Sequence, residues 1–197
     1  SPLFYRTCLL GCLLGLTATL YFVSGWAGYL GSPIPNIISV GIFLFVAAYF
    51  LSIFFFSLLD KSWLGFFLWF LILLVLVAEI VLGLVPPTAR DELTHHLAVP
   101  KLYANAGRIY QIPLDYPSYY PMLLDMLFTP WVKWKWDFIP KLIHGLFGFL
   151  TGLLVYCYLA RRLSPLYGLL GFFFFVSTPA VLRLGNWAYV DLGLTFY

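Results

Sequence analysis

Long apolar runs at residues 7–30, 37–58 and 63–85 constrain what this chain can fold into more than any other feature. Each reaches the roughly 20 residues a helix needs to cross a hydrocarbon core of about 30 Å. The runs are rich in Leu, Phe and Gly and show no alternation of apolar and polar positions, so they imply helices and not a barrel. The chain is 62% hydrophobic and only 10% charged, with a mean hydropathy of +0.94, far from the balance of a soluble domain. The expectation is an all-α integral membrane protein. A net charge of +3, without a basic face or binding motif, gives no reason to expect a nucleic-acid partner. Cys8, Cys12 and Cys157 fall inside apolar runs and read as packing residues, not as a disulfide framework.

Punctuation along the chain sets the expected spans. Gly31-Ser32-Pro33-Ile34-Pro35 ends the first, and the short turn Asp60-Lys61-Ser62 joins the second and third as a hairpin. Pro86-Pro87 closes the third, and further spans follow at about 139–160 and 166–184, with Asp191 opening a sixth. Arg6, Lys61 and Arg161-Arg162 then share one side, which the charge rule makes cytoplasmic. The long loop 86–139 lies on the opposite, outer side, with Asp91 and Asp191 both facing it. The expected location is a membrane with the N-terminus on the cytoplasmic side. The chain opens on Ser1 and stops at Tyr197 inside an apolar stretch, so it is expected to belong to a longer protein.

The loop begins with a polar knot, Arg90-Asp91-Glu92-Leu93-Thr94-His95-His96. Thr88 followed by Asp91 has the spacing of a capping box, predicting a helix over 89–98 that Pro100 restarts and Asn105-Ala106-Gly107 ends. On such a helix Asp91 pairs with His95, and Glu92 with His96, at i,i+4. Either pair can position a general base or supply two metal ligands. Equally, Asp91 can do no more than satisfy backbone N–H groups, with Glu92 favouring the positive end of the dipole.

Beyond the knot, Tyr110–Tyr120 reads as extended and aromatic, Pro121 as the start of a short apolar helix through Phe128, and Trp131–Trp136 as an interfacial anchor. Tyr119 and Tyr120 can stack on a sugar or lie along an isoprenoid, while Arg90, Lys101 and Arg108 can meet phosphate oxygens. Asp115 and Asp125 can line the same outer cavity as the knot or simply face water, the second being the default expectation, and His144 is expected to be a hydrogen-bonded packing residue. Glu79, about 9 Å along the helix from the end of its span at about 1.5 Å per residue, costs on the order of 2.5–3.5 kcal/mol if ionised, less if it lies shallow or faces a polar cavity.

Several of these stretches, in order, carry a resemblance. Pro86-Pro87-Thr88-Ala89-Arg90-Asp91-Glu92-Leu93-Thr94-His95-His96-Leu97-Ala98-Val99-Pro100-Lys101-Leu102-Tyr103, then Tyr119-Tyr120-Pro121-Met122, Lys141-Leu142-Ile143-His144-Gly145-Leu146-Phe147-Gly148, Ala160-Arg161-Arg162-Leu163 and Ala188-Tyr189-Val190-Asp191-Leu192 together resemble the N-terminal half of membrane glycosyltransferases of the GT-C fold. Bacterial relatives of protein O-mannosyltransferases and of lipid A aminoarabinose transferases are the members in view. The resemblance covers roughly residues 63–197 and implies a GT-C-like multi-helix bundle, with short interfacial helices in the outer loop and residues 1–62 adding two N-terminal transmembrane helices.

It further implies a bacterial inner membrane, and transfer of a sugar from a polyprenyl-phosphate donor to a lipid, glycan or protein acceptor on the non-cytoplasmic face. Asp91 and Asp191, with Glu92 as neighbour, take the catalytic positions. Arg90, Lys101, Arg108, Tyr119 and Tyr120 take the substrate positions. Metal use varies across this superfamily, so a divalent cation on His95 and His96 is a further possibility. Membrane lipids, the polyprenyl-phosphate donor and other membrane subunits are the expected partners. The alternative is a non-catalytic accessory subunit of a larger membrane complex.

Overall fold

The computed structural model describes residues 2–57, 62–113, 116–120 and 122–197. Among these residues the structure has nine α-helices, with three short π or 3-10 turns between them: α1 Pro2–Trp26, α2 Pro33–Ser57, α3 Trp63–Gly83, α4 Ala98–Ala106, α5 Thr129–Lys133, α6 Ile139–Arg162, α7 Pro165–Val176, α8 Pro179–Gly185 and α9 Asp191–Phe196. Four of them, α1, α2, α3 and α6, are long and apolar enough to cross a membrane, which is compatible with an integral membrane protein. Thr7, Thr17 and Thr151 return their hydroxyls to the carbonyls of Leu3, Leu13 and Phe147, four residues back, so these polar groups are paired within their own helices.

Helix α6 is the central element. It is 61% buried along its apolar window, against 28% for α2 and α3, whose outer faces stay apolar and exposed. One core runs from Leu10 and Leu14 of α1 through Phe50 and Phe54 of α2 and Ile72 of α3 to Leu150, Leu153 and Phe172. That core crosses the division at residue 62 without a break. Phe4 and Arg161-Arg162 line a common hollow, so the start of α1 and the end of α6 share one end of the bundle.

Two expected spans take a different form. The predicted 166–184 run breaks into α7 and α8, bent by 65°. Pro179 is the cause, because it holds Thr178 in extended conformation, with ψ 128°, and stops the helix there. The predicted hairpin of α2 and α3 closes only at its turn end, where Trp69 stacks on Phe54 and donates from Nε1 to the Phe54 carbonyl at 3.4 Å. Away from that contact α2 packs on α1 and α3 on α7 and α6, so the pair diverges. The turn residues Asp60 and Lys61 lie outside the described residues, as do Asp115 and Pro121.

The long connection between α3 and α6 is tied to the bundle at several points. The Ile109 N–H donates to the Gly25 carbonyl at 2.8 Å and the Leu30 N–H to that of Gly107 at 2.9 Å. Gly107 ends α4 with φ +71°, a left-handed position that suits glycine, as its place in the sequence predicts. A second small core of Tyr21, Leu30, Val99, Tyr103, Met122 and Met126 fastens this layer to the end of α1. Lys141 of α6 donates to the Val85 and Leu82 carbonyls at 2.6 and 3.5 Å, placing a cation on the carbonyl end of α3. Of the predicted Trp anchor, Trp134 and Trp136 are exposed, but Trp131 is buried against Phe43, because Thr129–Lys133 coils into α5 and turns that ring inward.

Candidate functional site

The polar knot is helical, as predicted, but it is not wound as an α-helix. It opens as a π turn, Glu92–His96, closed by the Leu97 N–H donating to the Glu92 carbonyl at 2.9 Å. The cause is which acid turns back. Asp91 makes no side-chain cap bond, whereas Glu92 is fully buried and accepts from the Thr88 and Ala89 N–H groups at 3.0 and 3.2 Å. Its second oxygen accepts from the Ala188 N–H at 2.8 Å. Glu92 therefore stitches the start of the knot to the segment before α9, and all three bonds run to main chain. With its neighbour's carboxylate turned inward in this way, Asp91 is left exposed and open to solvent.

The extra residue in a π turn reorients the side chains after it, and such turns are frequent at functional sites. Here it carries His96 inward onto a residue the sequence places in water. Asp125 is only 2% exposed, and its Oδ1 lies 2.6 Å from His96 Nδ1. The expectation for Asp125 is thus corrected: the 3-10 turn Leu124–Leu127 folds under the π turn and buries the carboxyl there. Burial pushes the Asp125 carboxyl above its ordinary value, and the hydrogen bond from His96 works against that rise. When the Asp125 carboxyl is ionised and accepts from Nδ1–H, a neutral His96 carries its lone pair on Nε2, the arrangement of a base oriented by a carboxylate.

Rings enclose this pair. His95 lies 4.1 Å from His96 and Tyr189 5.0 Å from it, centroid to centroid. Tyr189 lies within electrostatic reach of both distant acids. Burial raises its phenol first, and the charges of Asp91, Glu92 and Asp191 raise it further, while a hydrogen bond with the Asp91 main chain opposes them. Asp91 and Asp191, a hundred residues apart in sequence, are thereby brought around one phenol at one end of the bundle.

His144 holds this geometry from below, as a packing histidine. Its Nε2 accepts from the Leu192 N–H at 2.9 Å, which leaves the ring proton on Nδ1, shared between the Leu184 and Trp187 carbonyls at 2.9 and 2.8 Å. One buried ring thus ties α6 to the end of α8 and the start of α9, and so positions Asp191.

The predicted substrate residues separate. Arg90 adjoins Asp91, and Lys101 is exposed on the second turn of α4. Arg108 follows the far end of α4, about 13 Å along a nine-residue helix, beside the α1–α2 connection. Tyr119 and Tyr120 are exposed at the end of the 3-10 turn Tyr116–Tyr119, in a segment the sequence reads as extended. One cation escaped the sequence reading: the Arg183 guanidinium lies 4.8 Å over the Trp187 ring, which in turn packs 5.2 Å from Tyr189. Among the described residues no group of three or more His, Cys, Asp or Glu side chains gathers to hold a metal ion. No family model, curated protein or solved structure matches the chain.

Proposed function

We propose that the chain is a GT-C-type membrane glycosyltransferase that moves a sugar from a polyprenyl-phosphate donor to an acceptor hydroxyl on the non-cytoplasmic face. The observation that carries this reading is the convergence of Asp91 and Asp191 on Tyr189, beside a histidine backed by a buried carboxyl. Asp91 and Asp191 align the acceptor hydroxyl, and His96 Nε2 accepts its proton. The freed oxygen bonds to the anomeric carbon from the face opposite the phosphate, the carbon–oxygen bond to phosphate breaks, and polyprenyl phosphate leaves with the electron pair. The sugar inverts. In this reading Arg90, beside Asp91, and Arg183, over Trp187, meet the leaving phosphate, while Glu92 and His144 position the reacting groups.

The test is transfer of a radiolabelled sugar from a polyprenyl-phosphate donor by the full-length protein in proteoliposomes. His96→Gln is expected to lower turnover about 100-fold or more, the usual worth of a positioned base, and Asp91→Asn to lower it comparably. Wild-type turnover in Asp91→Asn would remove the acid from the mechanism. Absence of transfer, with copurification in a larger assembly, would favour a non-catalytic subunit.

A further inference from the structure

The end of the bundle away from the acids carries a second feature. Where the start of α1 meets the end of α6 there is a hollow of about 390 Å³, lined by Phe4, Cys157, Tyr158, Arg161 and Arg162. Both arginines are exposed, and among the described residues no carboxylate pairs with either guanidinium. The Arg162 guanidinium lies 5.7 Å over the Tyr158 ring, so this cation leans along the wall of the hollow. Phe4 and Tyr158 leave 43% and 62% of their own surface uncovered. Depth orders these groups. Cys157 and Tyr158 each precede an arginine by four residues, so they lie about 6 Å closer to the middle of α6 than Arg161 and Arg162. Where α6 crosses a membrane, two cations therefore stand at the headgroups with an apolar wall directly beneath them. A cation also suits the carbonyl end of a helix, but that role needs neither a second arginine nor a wall contributed by α1.

We infer that this hollow binds an anionic phospholipid of the cytoplasmic leaflet, with its phosphodiester between Arg161 and Arg162 and an acyl chain along Phe4 and Tyr158. Guanidinium groups match phosphate oxygens through paired N–H donors, and the anionic leaflet draws cations that stand at its surface. A free phosphate would make the same polar contacts but cover none of the aromatic surface. A choline headgroup would bring its own cation against the arginine pair. Only an anionic lipid suits both the charged rim and the apolar wall. The inference rests on α6 crossing the membrane and not on the transfer reaction, whose proposed groups lie around Tyr189 at the other end.

Native mass spectrometry of the full-length protein in neutral detergent tests it, with phosphatidylglycerol, phosphatidylcholine and inorganic phosphate as probes. The expected result is saturable binding of phosphatidylglycerol, about tenfold or more tighter than phosphatidylcholine and not displaced by excess inorganic phosphate. Replacing both arginines, Arg161→Gln with Arg162→Gln, is expected to weaken that binding about tenfold or more. Phe4→Glu keeps both arginines but sets a carboxylate in the hollow, and is expected to weaken it as much. Arg6→Gln removes an exposed arginine of α1 that does not line the hollow, and is expected to leave binding unchanged. If the arginine pair variant fails to elute as a folded species, Phe4→Glu decides. Equal binding of phosphatidylcholine, displacement by inorganic phosphate, an equal loss in Arg6→Gln, no saturable binding by the folded chain, or binding unchanged in Phe4→Glu would each overturn the inference.

Discussion

At the scale of single residues, two carboxyl groups of the long connection enter the interior on different terms. Glu92 enters because three backbone N–H groups wait for it, from Thr88, Ala89 and Ala188. Replacing it with Gln removes one acceptor oxygen and the charge, and is expected to cost about 2 kcal/mol, read as a lowered unfolding midpoint in detergent. Asp125 enters with His96 as its side-chain partner. Its folded value is raised above the ordinary 3.8, so the folded state holds a proton that the unfolded state releases. The stability this gives is complete below pH 3.8 and is lost as pH rises through the raised folded value. Asp125→Asn should therefore flatten the dependence of the unfolding midpoint on pH in that window. A variant curve that falls as steeply as the wild type's would show that the carboxyl titrates as an ordinary one.

At the scale of elements, the bundle depends on glycines where helices cross. Gly168 of α7 faces α6 so closely that an added Cβ would meet the Tyr156 carbonyl oxygen at 2.9 Å and its ring at 2.8 Å. Backbone cannot step aside as a flexible side chain can, so Gly168→Ala should destabilise by about 1–3 kcal/mol. Gly41 of α2 has open space around it, and Gly41→Ala should be neutral or stabilise by about 0.5–1 kcal/mol through helix propensity. Thermal unfolding of the two variants side by side checks both. A similar loss in each would mean that α6 and α7 do not meet as closely as the structure has them.

At the scale of the whole molecule, the polar groups collect at one end and Arg161-Arg162 with the start of α1 at the other. If the long helices cross a membrane with the basic end inside, Asn105→Cys is expected to react with an impermeant thiol reagent in intact cells and Ser164→Cys only after permeabilisation. Cys8, Cys12 and Cys157 would first be replaced, so that the introduced thiol alone reports. Reaction at both positions in intact cells would rule out that topology.

The sequence by itself determined the long helices, because roughly 20 apolar residues between prolines and glycines leave the backbone no other way to pair its polar groups. It also marked the stop at Gly107, the packing role of His144 and the polar knot as the place where titratable side chains gather. What it could not reveal depends on partners far away in the chain. The choice of Glu92 over Asp91 as the acid that turns inward requires Ala188, nearly a hundred residues on. His96 meets Asp125 through the π turn, and α2 and α3 part as α2 packs on α1 and α3 on α7. Helix periodicity is a local signal, whereas the satisfaction of a buried carboxylate is decided by whichever donors the tertiary fold brings to it. Asp91 stands exposed as a candidate catalyst for that reason: its neighbour occupied the interior first.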